Sequence, residues 1–118
     1  MRKSAFSVAE MKALWSHRTS VGRSKGKNDR IEKNRGGVTY YLFGNEIAHY
    51  DPGSRTVTVR DAGYLSATTK DRLNGLLGKK NLGISQKDGV WFLLKYTPSK
   101  GWNHEGKKKW PGHISFRV

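Results

Sequence analysis

Two tryptophans and a run of lysines near the C-terminus have the residue types that bind single-stranded nucleic acids. Trp102 and Trp110 bracket Lys107, Lys108 and Lys109. An indole can stack on a nucleobase while neighbouring ammonium groups contact phosphates, and each stacked base contributes about 1–3 kcal/mol. In the alternative arrangement both indoles close the open side of a sheet and the lysines stay in solvent. The sequence leaves these two interpretations equally open.

A second polar cluster lies at the start of a predicted helix. Its members are Thr68, Thr69, Lys70, Arg72 and Asn74. Free backbone N–H groups and the partial positive charge of a helix N-terminus favour a phosphate at such a position. Asp71, however, occupies the place of an anion, and Thr68 with Asp71 fits a capping box. Helix capping is therefore favoured over phosphate binding for this cluster, and Lys70 and Arg72 are kept as candidate nucleic-acid contacts.

The third candidate is a basic segment spanning residues 18–37, in which Val21 and Ile31 are the strongly apolar residues. Its candidate phosphate-binding cations are Arg18, Arg23, Lys25, Lys27, Arg30, Lys33 and Arg35. Such a segment buries too little apolar surface to offset its ordering entropy. We predict a flexible basic loop that becomes ordered on a polyanion, with a solvated linker as the alternative. Deletion of residues 18–35 is then expected to remove most polyanion affinity and leave the fold intact.

Catalytic groups are harder to assemble from this sequence. An HNH-type nuclease needs His ligands on a helix that follows a hairpin, and no helical pattern carries a late His. The aspartates of the central region sit at turn or capping positions, and Cys and the phosphate-loop motifs are absent. We therefore predict no enzymatic activity, no metal site and no cofactor.

The charge balance points to polyanionic partners. The 118 residues include 23 Lys+Arg and 9 Asp+Glu, a formal net charge of +14. Residues 36–98 account for only +3, so the two flanks hold the other +11. Nucleic acid, either DNA or RNA, is the first partner expected, and an acidic protein surface is the second. The absence of an export signal or a long apolar run predicts a cytoplasmic protein without membrane contact.

The predicted fold class is α+β: a small antiparallel sheet of about five strands packed on one or two helices. The strands are predicted at residues 38–43, 46–51, 55–60, 82–86 and 90–96, with 114–118 as a possible edge strand. Ser7 and Glu10 fit the capping box of a short helix over residues 7–15, and a second helix is predicted over 68–77. The corresponding segments are an N-terminal helix (1–17), the basic loop (18–37), the α+β core (38–98) and a Trp-containing C-terminal segment (99–118).

Residues 41–77 contain LFGNEIAHYD and RTVTVRDAGYLSATTKDRLNGLL. This region resembles the core of small proteins encoded by tailed bacteriophages, which have a strand pair, a Gly-aromatic step and a Thr-Thr-Lys-x-Arg-x-Asn helix start. The resemblance implies a phage gene product acting in an infected bacterium, and it transfers no activity. The basic segment and the Trp-rich C-terminus depart from that family's pattern.

The functional hypothesis is a small basic noncatalytic protein that binds the phosphate backbone of nucleic acid with low sequence specificity. The alternative is a phage protein that binds and modulates a host protein of the transcription or defence machinery. In that case the sheet edge and the tryptophans form the contact, and the charge only steers association. A minor virion component would have a similar charge.

Overall fold

The computed structural model describes residues 6–18, 21–104 and 106–118. Parts of the predicted N-terminal segment (1–5), basic loop (19–20) and C-terminal segment (105) lie outside the described residues. Within them the chain forms two helices, α1 (Val8–Ser16) and α2 (Ala67–Leu77), and ten strands paired antiparallel. The strands are β1 (Gly22–Lys25), β2 (Asp29–Asn34), β3 (Gly37–Leu42), β4 (Asn45–Asp51), β5 (Thr56–Arg60), β6 (Leu82–Lys87), β7 (Val90–Thr97), β8 (Gly101–Trp102), β9 (Lys108–Lys109) and β10 (His113–Arg117).

The strands form two sheets. The main sheet has the order β1-β2-β3-β4-β5-β10, and the small sheet contains β6, β7, β8 and β9, with β7 at its centre. The predicted α+β class and antiparallel pairing are confirmed. The predicted edge strand is β10, which pairs with β5 at one margin of the main sheet.

The β3–β5 meander follows the predicted alternation. Val57 and Val59 are fully buried, while Thr58 points to the opposite face and its hydroxyl lies 2.7 Å from that of Ser115 on β10. Because one face of an antiparallel sheet can remain in solvent, alternate residues can be polar without disturbing the core.

The prediction of a flexible loop over residues 18–37 is wrong for residues 22–25 and 29–34, which form strands β1 and β2. Strands β1 and β2 form a hairpin whose second strand pairs with β3 along its whole length. Ile31 is fully buried opposite Tyr40, and Asp29 is 5% exposed. The edge of the existing sheet provides backbone hydrogen bonds to the added strand. Because only one face of that strand lies against the core, burial of every second residue is enough to hold it, and a continuous apolar run is not needed. The expectation that residues 18–35 can be deleted without harm to the fold is therefore corrected, since the deletion removes two strands.

Helix α1 packs against β2, β3 and β4 and begins as predicted. The Ser7 hydroxyl accepts a hydrogen bond from the backbone N–H of Glu10 (3.1 Å), and the Glu10 carboxylate accepts one from the backbone N–H of Ser7 (3.1 Å). The pair forms a complete capping box.

Helix α2 begins one residue earlier than predicted. Its N-cap is Ser66, whose hydroxyl accepts a hydrogen bond from the backbone N–H of Thr69 (3.2 Å). The predicted capping box of Thr68 with Asp71 is wrong, because Ser66 already has the extended backbone conformation of an N-cap. Gly78 is predicted to end α2, but its backbone is right-handed and the chain continues from it into a 3-10 turn. The left-handed residue that ends this turn is Asn81.

Helix α2 connects the two sheets. Leu73, Leu76 and Leu77 are fully buried in the common core. On the small-sheet side, Asn74 donates a hydrogen bond to the backbone carbonyl of Ile84 (3.2 Å), and its side-chain oxygen accepts one from the same residue's N–H. The Asn74 amide thus pairs with both backbone groups of Ile84 at the outer edge of β6, and this fixes the small sheet against the helix.

Candidate nucleic-acid interface

Trp102 is positioned by the tight hairpin between β7 and β8. It pairs with Tyr96 across the strands, and the next backbone N–H, that of Asn103, donates to the Lys95 carbonyl (3.0 Å). The Tyr96 and Trp102 rings meet edge to face, with centroids 5.3 Å apart at 63°. Gly101 takes the left-handed conformation (φ 70°) that this turn requires. The half-buried indole is consequently held in one orientation before any ligand binds.

A glycine on the neighbouring strand lets the indole approach the sheet. A Cβ atom on Gly83 would lie 2.9 Å from Cη2 of Trp102 and 3.1 Å from Cζ3, closer than ordinary van der Waals contact. The six-membered ring of Trp102 therefore rests directly on the β6 backbone. Any side chain at residue 83 would displace it.

Phe92 and Tyr96 lie on the same face of β7, because alternate residues of a strand point the same way. Tyr96 is 37% exposed and Phe92 is partly buried. The Nζ atom of Lys107 lies 4.6 Å from the centre of the Phe92 ring, and Lys109 pairs with Phe92 across β9. Phe92, Tyr96 and Trp102 are called the aromatic face below. The sequence interpretation missed Phe92 and Tyr96, although their spacing within the apolar run of β7 is a signal for a shared face.

A groove of about 860 Å³ adjoins this face. Its lining comes from α2 and Gly78 on the one hand, and from Leu82 and Trp102 on the other. Lys70 lies in this lining, with its Nζ 3.2 Å from the side-chain oxygen of Gln86.

Trp110, the second tryptophan predicted to stack on a base, belongs to the core. It is 7% exposed, and its Nε1 donates a hydrogen bond to the Asp61 carboxylate (2.9 Å). Its backbone N–H donates to the carbonyl of Trp91 on β7 (2.9 Å). The prediction for Trp110 is corrected accordingly: the ring closes the junction between the two sheets, and a buried face cannot meet a nucleobase.

Arg72 is also part of the structure rather than a free cation. Its Nε and Nη2 donate to the two carboxylate oxygens of Asp29 at 2.8 and 3.2 Å, and the Tyr40 hydroxyl donates to the same carboxylate. The hydrogen bond with Asp29 raises the pKa of the Arg72 guanidinium. Because Asp29 is buried, this pair ties β2 to α2, and the candidate role of Arg72 in phosphate binding is replaced by a structural one.

Two of the hairpin cations, Lys25 and Lys33, are engaged by neighbouring groups. Lys25 pairs with the Glu10 carboxylate at 2.8 Å and lies 4.8 Å from the centre of the Phe6 ring. Lys33 donates a hydrogen bond to the carbonyl of His17 at the end of α1. Burial alone would raise the pKa of Glu10, but hydrogen bonds from Lys25 and Ser7 outweigh that effect and lower it.

Arg30 faces the opposite side of the main sheet. It lies 3.5 Å from Glu32 and 4.9 Å from the centre of the Tyr41 ring. The remaining candidate cations of the segment, like two of the C-terminal lysines, have exposed side chains. These are Arg18, Arg23, Lys27, Arg35, Lys108 and Lys109.

The small-sheet region carries as much net positive charge as residues 1–35, which hold 10 Lys+Arg and 3 Asp+Glu. Residues 67–109 contain 10 Lys+Arg and 3 Asp+Glu, a net charge of +7 and half of the chain total. Among the described residues the ion pairs are Lys25–Glu10, Arg30–Glu32, Arg60–Glu46 and Arg72–Asp29, and none of them involves a strand of the small sheet. Within the described residues the lysines of the small sheet thus have no carboxylate partners, and Lys107 lies over the partly buried Phe92 ring.

A family model described as Kyanoviridae Gp96 protein matches residues 4–110. The chain belongs to this family. It is therefore a bacteriophage protein, as the resemblance of residues 41–77 implied, and the matched region includes the whole small sheet. Comparison with the curated proteins and with the solved structures finds no match.

The described residues contain neither a membrane-spanning helix nor a cluster of metal ligands. No helix there is long and apolar enough to cross a membrane, and no group of three His, Asp or Glu side chains is placed to hold a metal ion.

Proposed function

We propose that this phage protein binds nucleic acid without catalysing a reaction, and that the small sheet makes the principal contact. The observation that carries the proposal is the position of the Lys107 ammonium beside Phe92, with exposed Tyr96 and the preorganised Trp102 on the same sheet. Aromatic rings offer stacking surfaces to bases, and the adjoining lysines neutralise phosphates.

Low sequence specificity follows from the chemistry of these contacts. Phosphates carry no sequence information, and every base has a face that can stack on an aromatic ring. Lys109, which pairs with Phe92, and Lys100 in the β7–β8 turn are exposed cations of the small-sheet region. Lys108 is also exposed, but it pairs with Leu93 and so lies on the opposite face of β7. The exposed hairpin cations would add long-range attraction rather than fixed contacts.

The test is a titration of a fluorescently labelled single-stranded oligonucleotide, followed by anisotropy at several salt concentrations. If about six cations contact phosphates, the logarithm of the association constant should fall against the logarithm of salt with a slope of about −4. Trp102→Ala should weaken binding about 5- to 150-fold, which corresponds to one stacked base.

Trp110→Phe is the matched control, because it removes an indole that is buried and leaves the aromatic face unchanged. We expect the control to bind as tightly as the wild type. A slope near zero, or equal affinities for Trp102→Ala and the wild type, would contradict the proposal.

We keep binding to a host protein as a second candidate, because one apolar cluster lies away from the small sheet. Phe43, Tyr64 and Leu65 are each more than half exposed, and Phe43 and Tyr64 line the same cavity of about 390 Å³. Clustered exposed apolar side chains are typical of protein contact sites. A single stoichiometric partner that survives nuclease and high salt in a pull-down, and is lost in Phe43→Ser, would favour this candidate. Loss of all bound material after nuclease would favour the first.

A further inference from the structure

We infer that the groove between α2 and Trp102 holds an unpaired nucleobase, so that the ligand of the small sheet is single-stranded rather than duplex nucleic acid. The inference rests on the proposed function and adds the class of ligand and the place where a base enters. The volume of the groove, about 860 Å³, lies within the range of ligand pockets, roughly 300–1,000 Å³.

Two glycines leave the helix side of the groove without side chains. Gly75 and Gly78 both line it, and residues three apart on a helix lie on the same side. Neither presents a side chain, and beyond the adjoining residues and the helix backbone no atom lies within 4 Å of the place where a Cβ on Gly78 would be. Trp102 also lines the groove, and its ring is held by Gly83 and Tyr96. A base can therefore enter beside an aromatic wall that pays little ordering entropy on binding.

The polar groups of the groove fit the edge of a base better than a phosphate. Asp71 is exposed in the lining, and its carboxylate would repel a phosphate but accept hydrogen bonds from the amino group of adenine, cytosine or guanine. Lys70 makes one hydrogen bond to Gln86, and its ammonium has three donors, so it can also contact a phosphate at the mouth of the groove.

Duplex nucleic acid cannot present a base in this way. In a duplex both faces of each base are stacked and the pairing edge is occupied, whereas a single strand can turn its bases outward. Duplex binding would be limited to phosphate contacts with the surrounding lysines. Single strands should accordingly bind more tightly at equal length and equal salt.

Gly78→Leu tests the groove without a change of charge. The backbone of Gly78 is right-handed (φ −56°), so leucine fits there, and its side chain would occupy the space left for the base. Gly36→Leu is the matched control: it adds the same side chain to an exposed turn between β2 and β3, where the nearest atoms lie at an ordinary 3.7 Å. Urea unfolding of both variants checks that the fold is retained.

The wild type should bind a labelled single strand about tenfold more tightly than the matched duplex, as expected for one stacked base. Gly78→Leu should remove most of this preference and leave duplex binding and the salt slope unchanged, whereas Gly36→Leu should behave as the wild type. Should Gly78→Leu unfold, Trp102→Leu provides the same comparison, because it keeps an apolar side chain over Gly83.

Equal affinity of the wild type for single strands and duplex would overturn the inference, as would a Gly78→Leu variant that keeps the full preference. Absence of salt-dependent binding to either ligand would overturn the proposed function itself. The two failures are thus distinguishable in one set of titrations.

Discussion

The β1–β2 hairpin and the small sheet are both rich in cations, yet the structure uses them differently. In the hairpin, Lys25 and Lys33 face α1, where they meet a carboxylate and a carbonyl, and Asp29 holds an arginine of α2. In the small sheet the described lysines have no carboxylate partners, and Lys107 lies on the partly buried Phe92 ring. A carboxylate or carbonyl partner within the fold makes a positive charge less available to a ligand. The net charge of a segment therefore does not measure its capacity to bind a polyanion.

The largest effect is expected for the pair that ties the hairpin to α2. Arg72→Met leaves the carboxylate of Asp29 buried without its cationic partner, which should cost about 3–5 kcal/mol of unfolding free energy. Urea unfolding measures the loss, and the double variant Asp29→Asn with Arg72→Met should recover part of it. An Arg72→Met protein of normal stability with weakened oligonucleotide binding would instead make Arg72 a ligand contact.

A smaller effect is expected in the small sheet. Gly83→Val places side-chain atoms where the Trp102 ring lies, so it should cost about 1–3 kcal/mol and weaken single-strand binding as the indole is displaced. Adding Trp102→Ala should relieve the clash and restore stability but not affinity. Normal binding by Gly83→Val would show that the position of Trp102 is not important for the ligand.

The smallest effect concerns the exposed contact between the hairpin and α1. Glu10→Gln removes the ion pair with Lys25 and should cost no more than about 1 kcal/mol at neutral pH. Since folding lowers the pKa of Glu10 below its ordinary value of 4.5, the carboxylate stabilises the fold above that pH. This stabilisation is lost as the pH falls through the lowered pKa.

The unfolding free energies of the wild type and Glu10→Gln should therefore differ at pH 7 and converge as the pH falls below the lowered pKa of Glu10. Both proteins contain the same other carboxylates, so the titration of those groups cancels in the difference between the two unfolding free energies at each pH. A difference that grows on acidification would show that the Glu10 contact does not contribute in this way.

Local patterns were sufficient for the elements that depend on neighbouring residues. The α1 capping box, the β3–β5 meander and the β6–β7 hairpin with its Asp88-Gly89 turn all follow from residues close in sequence. The β1–β2 hairpin could not be predicted in this way, because two of the three residues that its second strand turns inward, Asp29 and Lys33, are charged. Their partners come from the two helices and are distant in sequence.

The candidate site shows the same limit. Trp102 and Trp110 flank the same lysines, and nothing local separates the exposed indole from the buried one. The difference comes from Asp61, which is 49 residues from Trp110, and from Gly83, which makes room for Trp102. Phe92 and Tyr96 were hidden in an apolar run whose alternate faces become distinct only when α2 covers one side.

The central claim is that the cations of the small sheet, rather than those of the hairpin, contact the nucleic acid. Two triple variants with equal net charge test it: Lys100→Gln, Lys107→Gln and Lys109→Gln in the small-sheet region, against Arg23→Gln, Lys27→Gln and Arg35→Gln in the hairpin region. The single-strand salt slope of the first should become shallower by about 2, and that of the second should remain close to the wild-type slope. The opposite result, a shallower slope for the hairpin variant alone, would contradict this account.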